Sequence, residues 1–416
     1  MGADIPPGAG ASRGRYALAA LALGAFAIGT AELVVVGVLN QIAGDLDVSE
    51  GTAGLLVTAY ALGISLGGPV MTAATIRLPR RLLLWLALAV FILGNVLAVF
   101  AGAFGMLLVA RVVTGAIHGL FIGVASAVAA GLVPAERRGQ AVSMVFGGIA
   151  VSTVVGVPLG TLIGQSAGWQ AAFVGVIVLG ALALAATLAA VPAVGGSGSG
   201  GLGAQAKYAF APPVLAMLAT GLLVMGGQFT AFTFLAPFLE DVTGISGGAI
   251  SGFLLIFGVA SAVGTFAGGK FADRNADATL LVGNTVLVLA LGALYLVGSN
   301  PVLVALALAG WGLVGFGVVP SLQLRVISLA GPGGDLAATL GASAVNAGIA
   351  AGAAVGGWAV SAYGAENVPL AALVICLVAL PATWATRFLR VPAPGTVTDA
   401  AGPAPHSEAA SVPASG

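Results

Sequence analysis

Residues 105–130 read GMLLVARVVTGAIHGLFIGVASAVAA. Apart from one arginine and one histidine, the run is apolar or small, and it exceeds the roughly 20 residues of helix that cross a bilayer core. A charge in such a run is costly in lipid, so Arg111 must face protein or water. The same texture extends outward along the whole chain. Of 416 residues, 59% are hydrophobic and 7% charged, with 14 Lys+Arg against 14 Asp+Glu. Soluble domains carry about 25% charged residues. This composition excludes a cytosolic enzyme, a nucleic-acid binder with a basic face and a disordered scaffold. Twelve spanning helices need roughly 240 residues, close to the number of apolar residues present.

Apolar stretches lie near 16–40, 52–76, 81–101, 105–130, 139–165 and 170–191, then near 212–238, 247–269, 278–298, 301–326, 335–361 and 367–389. They are numbered here as spans 1 to 12. Pro79, Pro134, Pro212–Pro213, Pro301 and Gly331–Pro332 punctuate them. The expected fold class is an all-α polytopic membrane protein, two pseudo-symmetric bundles of six helices. Its expected parts are a disordered cytoplasmic N-terminus at 1–14, a first bundle at 15–191 and a cytoplasmic linker at 192–208, where VGGSGSGGLGAQ occurs. A second bundle at 209–390 and a disordered Pro/Ala/Ser-rich tail at 391–416 follow. The first apolar run is longer than a signal-peptide core and lacks a small-residue cleavage site before Glu32, so it reads as a retained helix. One cysteine, Cys376, excludes disulfides and cysteine metal sites; its setting, LVICLVAL, suits a small hydrophobe facing helix or lipid.

The charges segregate. Arg13, Arg15, Arg77, Arg80, Arg81, Arg137, Arg138, Lys207, Lys270, Arg274, Arg325, Arg387 and Arg390 all fall on one side of a twelve-span arrangement. The opposite loops carry Asp45, Asp47, Glu50, Glu240, Asp241 and Glu366 and no cation. The positive-inside rule puts the basic side and both termini in the cytoplasm.

Glycines at spacing four recur in spans 2, 5, 8 and 11: Gly63/Gly67, Gly156/Gly160/Gly164, Gly264/Gly268 and Gly348/Gly352/Gly356. Such ladders let helix backbones approach closely, and here they are expected at a seam where two halves meet and slide. Ordinary helix packing is the alternative. Gly115/Gly119/Gly123 in span 4 breaks the every-third-helix pattern, and span 10 has no matching ladder.

Four stretches resemble the major facilitator superfamily: GTAELVVVGVLNQIAGDLDVS (29–49), LLVARVVTGAIHG (107–119), GGIAVSTVVGVPLGTLIG (147–164), and FTFLAPFLEDVTGIS (232–246) with GGKFADR (268–274). The chain is similar to its twelve-helix drug:proton antiporters, in the branch of arabinose-efflux-like and chloramphenicol-resistance permeases. The resemblance implies that Gly148, Gly156, Pro158, Gly160 and Gly164 form the exporter motif of span 5, with Gly156-Val-Pro158 where Gly-Pro is usual. It also implies a loop motif with an aspartate four residues after a glycine. The second half keeps Gly269, Asp273 and Arg274, whereas the position counted from Gly68 is Thr72, so the motif's charge relay is expected in the second half.

Few titratable groups reach membrane depth. Glu32 lies about 17 residues past Arg15, roughly 25 Å along a helix. Arg111 has a comparable depth, and His118 follows two turns later on nearly the same face. Glu32 is the expected proton-coupling carboxylate, with Arg111 tuning its proton affinity and His118 a relay or substrate contact. The alternative is a permanent ion pair bracing spans 1 and 4. Tyr60, Gln228, Phe232, Gln323, Ser343 and Asn346 are the expected cavity lining, suited to a weakly polar, uncharged or zwitterionic small molecule.

A secondary exporter exchanging a small molecule for external protons is the leading expectation, in a bacterial inner membrane. Proton-coupled uptake of a sugar or nucleoside is the alternative, and the glycine-proline element of span 5 favours export by resemblance. An intramembrane enzyme is disfavoured because metal-ligand spacing and a nucleophile setting are missing. The chain has no phosphate-binding Gly-x-x-x-x-Gly-Lys loop for ATP-driven pumping. The expected partners are a small-molecule substrate, protons and the lipid bilayer, with no nucleic acid, no cofactor and no metal; the chain is read as a monomer.

Overall fold

Inside a bilayer each backbone N–H and C=O must be satisfied within its own segment, which favours helices. In the computed structural model, which describes residues 7–75, 78–134, 138–192 and 202–390, every regular element is helical. The spans are α1 (Pro7–Gly37, continued by Leu39–Asp45), α2 (Glu50–Met71), α3 (Arg80–Val99), α4 (Phe104–Gly131), α5 (Met144–Ala167) and α6 (Trp169–Ala190). After them come α7 (Pro212–Asp241), the 49-residue Ala249–Val297, α10 (Pro301–Ala330), α11 (Leu336–Tyr363) and α12 (Ala365–Phe388). A straight 49-residue helix would be about 74 Å long, more than twice a hydrocarbon core. It breaks at Asn275 (φ −161°, ψ 94°), whose side chain accepts the Ala278 N–H at 2.9 Å. The arms before and after Asn275 are α8 and α9, so among the described residues eleven long apolar helices make twelve spans.

The boundaries differ from expectation in two places. Helix begins at Pro7 rather than near residue 15, and Leu202–Ala209 forms a short helix within the expected linker. Arg77, Arg137, His406, the 193–201 part of the linker and the tail 391–416 lie outside the described residues. Large apolar side chains such as Leu93, Phe266, Leu289 and Leu296 are at least 65% exposed, a surface that suits lipid and not water.

Two π-helical turns interrupt α2 and α5, at Gly63–Gly67 and Ser152–Gly156. Each is followed within two residues by a proline, Pro69 or Pro158. Proline has no N–H to return to the preceding turn, and the ladder there shifts to a wider register, a feature that favours functional sites.

The first six spans meet the last six along two seams. At α2–α11, Gly51 abuts Gly357, Thr58 Oγ1 donates to the Ala350 carbonyl (3.2 Å) and Ser65 Oγ donates to the Ser343 carbonyl (2.9 Å). At α5–α8, a Cβ on Gly258 would run into the Thr153 carbonyl, and Leu162 touches Gly248. The four expected helices therefore do line the seams, but their glycine ladders do not. Gly148, Gly156, Gly160 and Gly164 face Ala22, Thr30, Val34 and Val38 of α1. Gly264 and Gly268 face α10 at Leu313 and Gly317, while Gly348, Gly352 and Gly356 face α7 at Leu222, Gly226 and Thr230. The Gly115/Gly119 ladder, out of place in a seam scheme, meets Tyr60 and Gly68 of α2. Close backbone approach thus welds helices within each set of six. The seams use fewer glycines and a few hydroxyl-to-carbonyl bonds.

Candidate functional site

Arg111 is 1% exposed on α4. A guanidinium holds its donors in a rigid fork, and here the fork reaches from α4 to two other helices. Nη1 donates to the Ala31 carbonyl (2.7 Å) and Nη2 to the Glu32 carbonyl (2.9 Å), both on α1; Nε donates to the Leu56 carbonyl of α2 (3.3 Å). Its Cζ lies 4.0 Å from the Tyr60 ring centroid, a cation–π geometry. Arg111 thus braces α1, α2 and α4 through backbone oxygens. Its hydrogen bond to Glu32 is to the main chain and not to the carboxylate, unlike the permanent ion pair weighed as the alternative.

The group beside the Glu32 carboxylate is His118, with Nδ1 3.6 Å from Oε2. The same Nδ1 lies 3.3 Å from the Tyr60 hydroxyl, which also reaches the Ile28 carbonyl at 3.4 Å. The Glu32 side chain keeps 17% of its surface exposed, whereas Tyr60 is buried. Tyr60, expected in a substrate cavity, therefore belongs with Glu32, Arg111 and His118. Helical spacing brings Arg111 and His118 onto one face of α4, and the α2–α4 glycine contact brings Tyr60 against them. The arrangement sets a carboxylate that keeps part of its surface exposed beside an imidazole, within a shell of fixed groups.

A second cluster lies across the middle of the molecule. Leu33 of α1 and Thr153 and Val157 of α5 line a small void against Phe232 of α7 and Leu254 and Phe257 of α8. Phe257 is tilted against Phe232 with centroids 4.7 Å apart, and Trp311 of α10 stands edge-on to Phe257 at 5.3 Å. Gln228 is buried behind this wall: its Oε1 accepts from the Trp311 indole (3.2 Å), and its Nε2 donates to the Gly315 carbonyl (3.1 Å). Of the expected lining, Phe232 faces the void and Gln228 supports it. Gln323 instead donates to the Ala338 carbonyl (2.8 Å), joining α10 to the start of α11. Ser343 offers its carbonyl to Ser65 at the seam, and Asn346 donates back to Ala342 (3.0 Å). Phe257, Trp311, Leu33 and Thr153 were not singled out from sequence. Trp311 carried a signal, because an indole N–H inside LALAGWGLVG needs an acceptor from another helix.

At the acid-bearing end, α1 and α7 touch through side chains. Asn40 donates to the Glu240 carboxylate, while Gln165 of α5 donates to the Gly37 carbonyl (2.8 Å) and to Asn40 Oδ1 (3.3 Å). At the basic end, Arg325 pairs with Asp277 at 2.7 Å and donates to the Thr386 carbonyl at 2.8 Å. Asp273 and Arg274 are exposed there, with open space around Gly269. Cys376 is fully buried against Gly227 of α7.

The profile of the Major Facilitator Superfamily matches residues 21–342. The chain is 39% identical to the MFS-type transporter YtbD of Bacillus subtilis over 82% of this chain and 87% of that one. It is 33% identical to a chloramphenicol resistance protein of Streptomyces lividans, over 80% of this chain and 86% of the relative. A crystal structure of a bacterial homolog to the human lysosomal transporter Spinster, inward-facing and occupied, superposes with a TM-score of 0.77 at 17% identity, covering 90% of this chain and 97% of that one. The similarity in fold runs through both sets of six helices, and YtbD is by name an MFS-type transporter. The chain belongs to the major facilitator superfamily.

Proposed function

We propose that the protein is a proton-coupled exporter of a small organic molecule, working by alternating access, with Glu32 as the group that carries the driving proton. One observation supports this most: the Glu32 carboxylate, partly exposed, stands next to His118 on a three-helix brace. Its chain neighbour Leu33 lines the aromatic void between the two sets of helices. Proton and substrate sites on one turn of α1 can compete or alternate, as an exchanger requires. The first six spans (15–191) and the last six (209–390) act as the two moving bundles. The basic end faces the cytoplasm of a bacterial inner membrane, by the cation excess in its loops, and the unit is a monomer.

The void here is only about 10 Å³, and when the halves part its wall of Phe232, Phe257 and Trp311 offers aromatic faces to a weakly polar ring compound. The relative named for chloramphenicol resistance makes such drugs the first compounds to try. The driving force suffices with one carboxylate. A proton moving inward at about 150 mV releases roughly 3.5 kcal/mol, enough for a gradient of a few hundredfold.

The test is a susceptibility panel in an efflux-deficient host, followed by transport in proteoliposomes under an imposed pH gradient. Resistance abolished by a protonophore, with Glu32→Gln binding substrate but losing proton-driven export, is the expected result. Full proton-coupled export by Glu32→Gln would sink the assignment, and increased uptake of a labelled sugar would reverse the direction.

A further inference from the structure

We infer that Tyr60 is the positioning residue that passes the protonation of Glu32 to the α2–α11 seam, with the His118 ring as the switch between them. This rests on the reading of Glu32 as the proton site, and extends it to how the proton is felt by the other half of the molecule.

The geometry sets up a competition. His118 Nδ1 lies 3.6 Å from Glu32 Oε2 and 3.3 Å from the Tyr60 hydroxyl. One ring N–H makes one strong hydrogen bond at a time. When Glu32 is ionised, its carboxylate is the stronger acceptor and takes the Nδ1–H. When Glu32 receives a proton from solvent, the attraction of its full negative charge is gone, and the Nδ1–H turns to the Tyr60 oxygen. The Tyr60 O–H meanwhile donates to the Ile28 carbonyl at 3.4 Å. No proton leaves the imidazole in this exchange. The Tyr60 hydroxyl is bonded to α1 alone in one state and to α1 and α4 together in the other, while the ring stays packed against Arg111 throughout. Among the described residues, the titratable groups around Glu32 are Arg111 and His118 from α4 and Tyr60 from α2. Arg111, committed to three carbonyls, keeps its position through the change.

Tyr60 is well placed to transmit the change. It is 1% exposed, its ring is held under the Arg111 guanidinium, and its main-chain oxygen sits against Gly115 of α4. Two α2 side chains flank it, Thr58 and Ser65, and both donate to carbonyls of α11 in the other half. Between Tyr60 and Ser65 begins the π-helical turn Gly63–Gly67, where α2 has a register other than the α-helical one open to it. A pull on Tyr60 toward α4 is therefore relayed along α2 to its bonds with Ala350 and Ser343. The relay needs a two-state element, and the π turn supplies it.

The test uses the full-length protein in lipid nanodiscs, with Cys376→Ala and spin labels at Gly102→Cys and Ser246→Cys, in exposed loops at the acid-bearing ends of the two halves. Infrared difference spectra report the proton on Glu32 through a carboxyl C=O band that Glu32→Gln removes. Pulsed spin-resonance distances report the separation of the two acid-bearing ends over the same pH series. In the wild-type protein the distance should follow the band. In Tyr60→Phe, which keeps the ring over Arg111 but not the hydroxyl, the band should still titrate while the pH-dependent distance change is lost. His118→Ala should behave in the same way, and it carries the test if Tyr60→Phe does not fold. A distance that follows pH as in wild type in either folded variant overturns the role of Tyr60 and leaves Glu32 as the proton site. So does a wild-type band that titrates with no change in distance. Absence of any band sensitive to Glu32→Gln overturns the Glu32 reading itself, a distinct outcome.

Discussion

Replacing Arg111 with lysine tests whether the intramembrane cation is a brace or a charge partner. The guanidinium reaches three carbonyls with three different nitrogens at 2.7–3.3 Å. A lysine ammonium is a point donor on a longer, flexible stem and can keep one of these bonds. Charge-assisted hydrogen bonds contribute about 1.5–3 kcal/mol each, so losing two costs roughly 3–6 kcal/mol. At about 2–4 °C per kcal/mol for bundles of this size, the midpoint Tm in detergent should fall by roughly 6–24 °C. The assay is thermal unfolding of wild type, Arg111→Lys, Glu32→Gln and the double variant, treated as a double-mutant cycle. Because the bonds go to backbone oxygens, more than half of the Arg111→Lys loss should persist in the Glu32→Gln background. If the loss there shrinks below about 1 kcal/mol, Arg111 acts through the carboxylate and the brace is refuted.

Gly258→Leu would force a side chain into the Thr153 carbonyl at the α5–α8 seam. It should shift the spin-label distances toward separated seams and slow transport about tenfold or more, with Gly252→Leu, in open space on the same helix, as the silent control; equal behaviour of the two would contradict the seam. Phe257→Ala removes an aromatic face worth about 0.5–1.5 kcal/mol beyond its buried area, so Kd for a bound ring compound should rise at least several-fold by calorimetry; an unchanged Kd would place the compound elsewhere. Trp311→Phe leaves Gln228 Oε1 buried without its indole donor, at a cost of about 1–3 kcal/mol. The expected readout is a lower Tm, which Trp311→Phe with Gln228→Leu should largely restore. Asn40→Asp sets a carboxylate against Glu240 where an amide now donates, and should widen the gap between the acid-bearing ends, as read by the same labels; no widening would mean the contact does not hold that end shut.

Much of the architecture was legible because lipid leaves few choices. Runs such as 105–130 can only span, and the cations and acids sort by loop, so the span count followed from composition and charge. The break between α8 and α9 was also legible, at the polar stretch KFADRNAD that contains the Asn275 cap. The ladders at spacing four marked close helix contacts correctly, but spacing alone does not name the partner. Gly352 meets Gly226 of α7, a pairing its spacing does not specify. At the site, the rarity of charge pointed to Glu32, Arg111 and His118 before any geometry. The choice between carboxylate and carbonyl as the acceptor for Arg111 was hidden, because backbone oxygens leave no mark in a sequence. Tyr60 was misplaced for a related reason. A tyrosine in an apolar span is compatible with either site, and the α2–α4 contact decides between them. Phe257 and Trp311 were lost among ordinary apolar residues, since an aromatic wall assembles from helices distant in sequence.

The central claim is that substrate binding and a proton on Glu32 are linked in exchange. The most direct measurement is proton release on substrate addition, using purified protein in weakly buffered detergent solution and the compound that gives the largest thermal shift. The wild-type protein should release close to one proton per bound molecule, in the pH range where Glu32 is protonated in the free state. Glu32→Gln should bind the compound and release none. Equal release from Glu32→Gln, or substrate binding by the wild-type protein without release at any pH, would contradict the account.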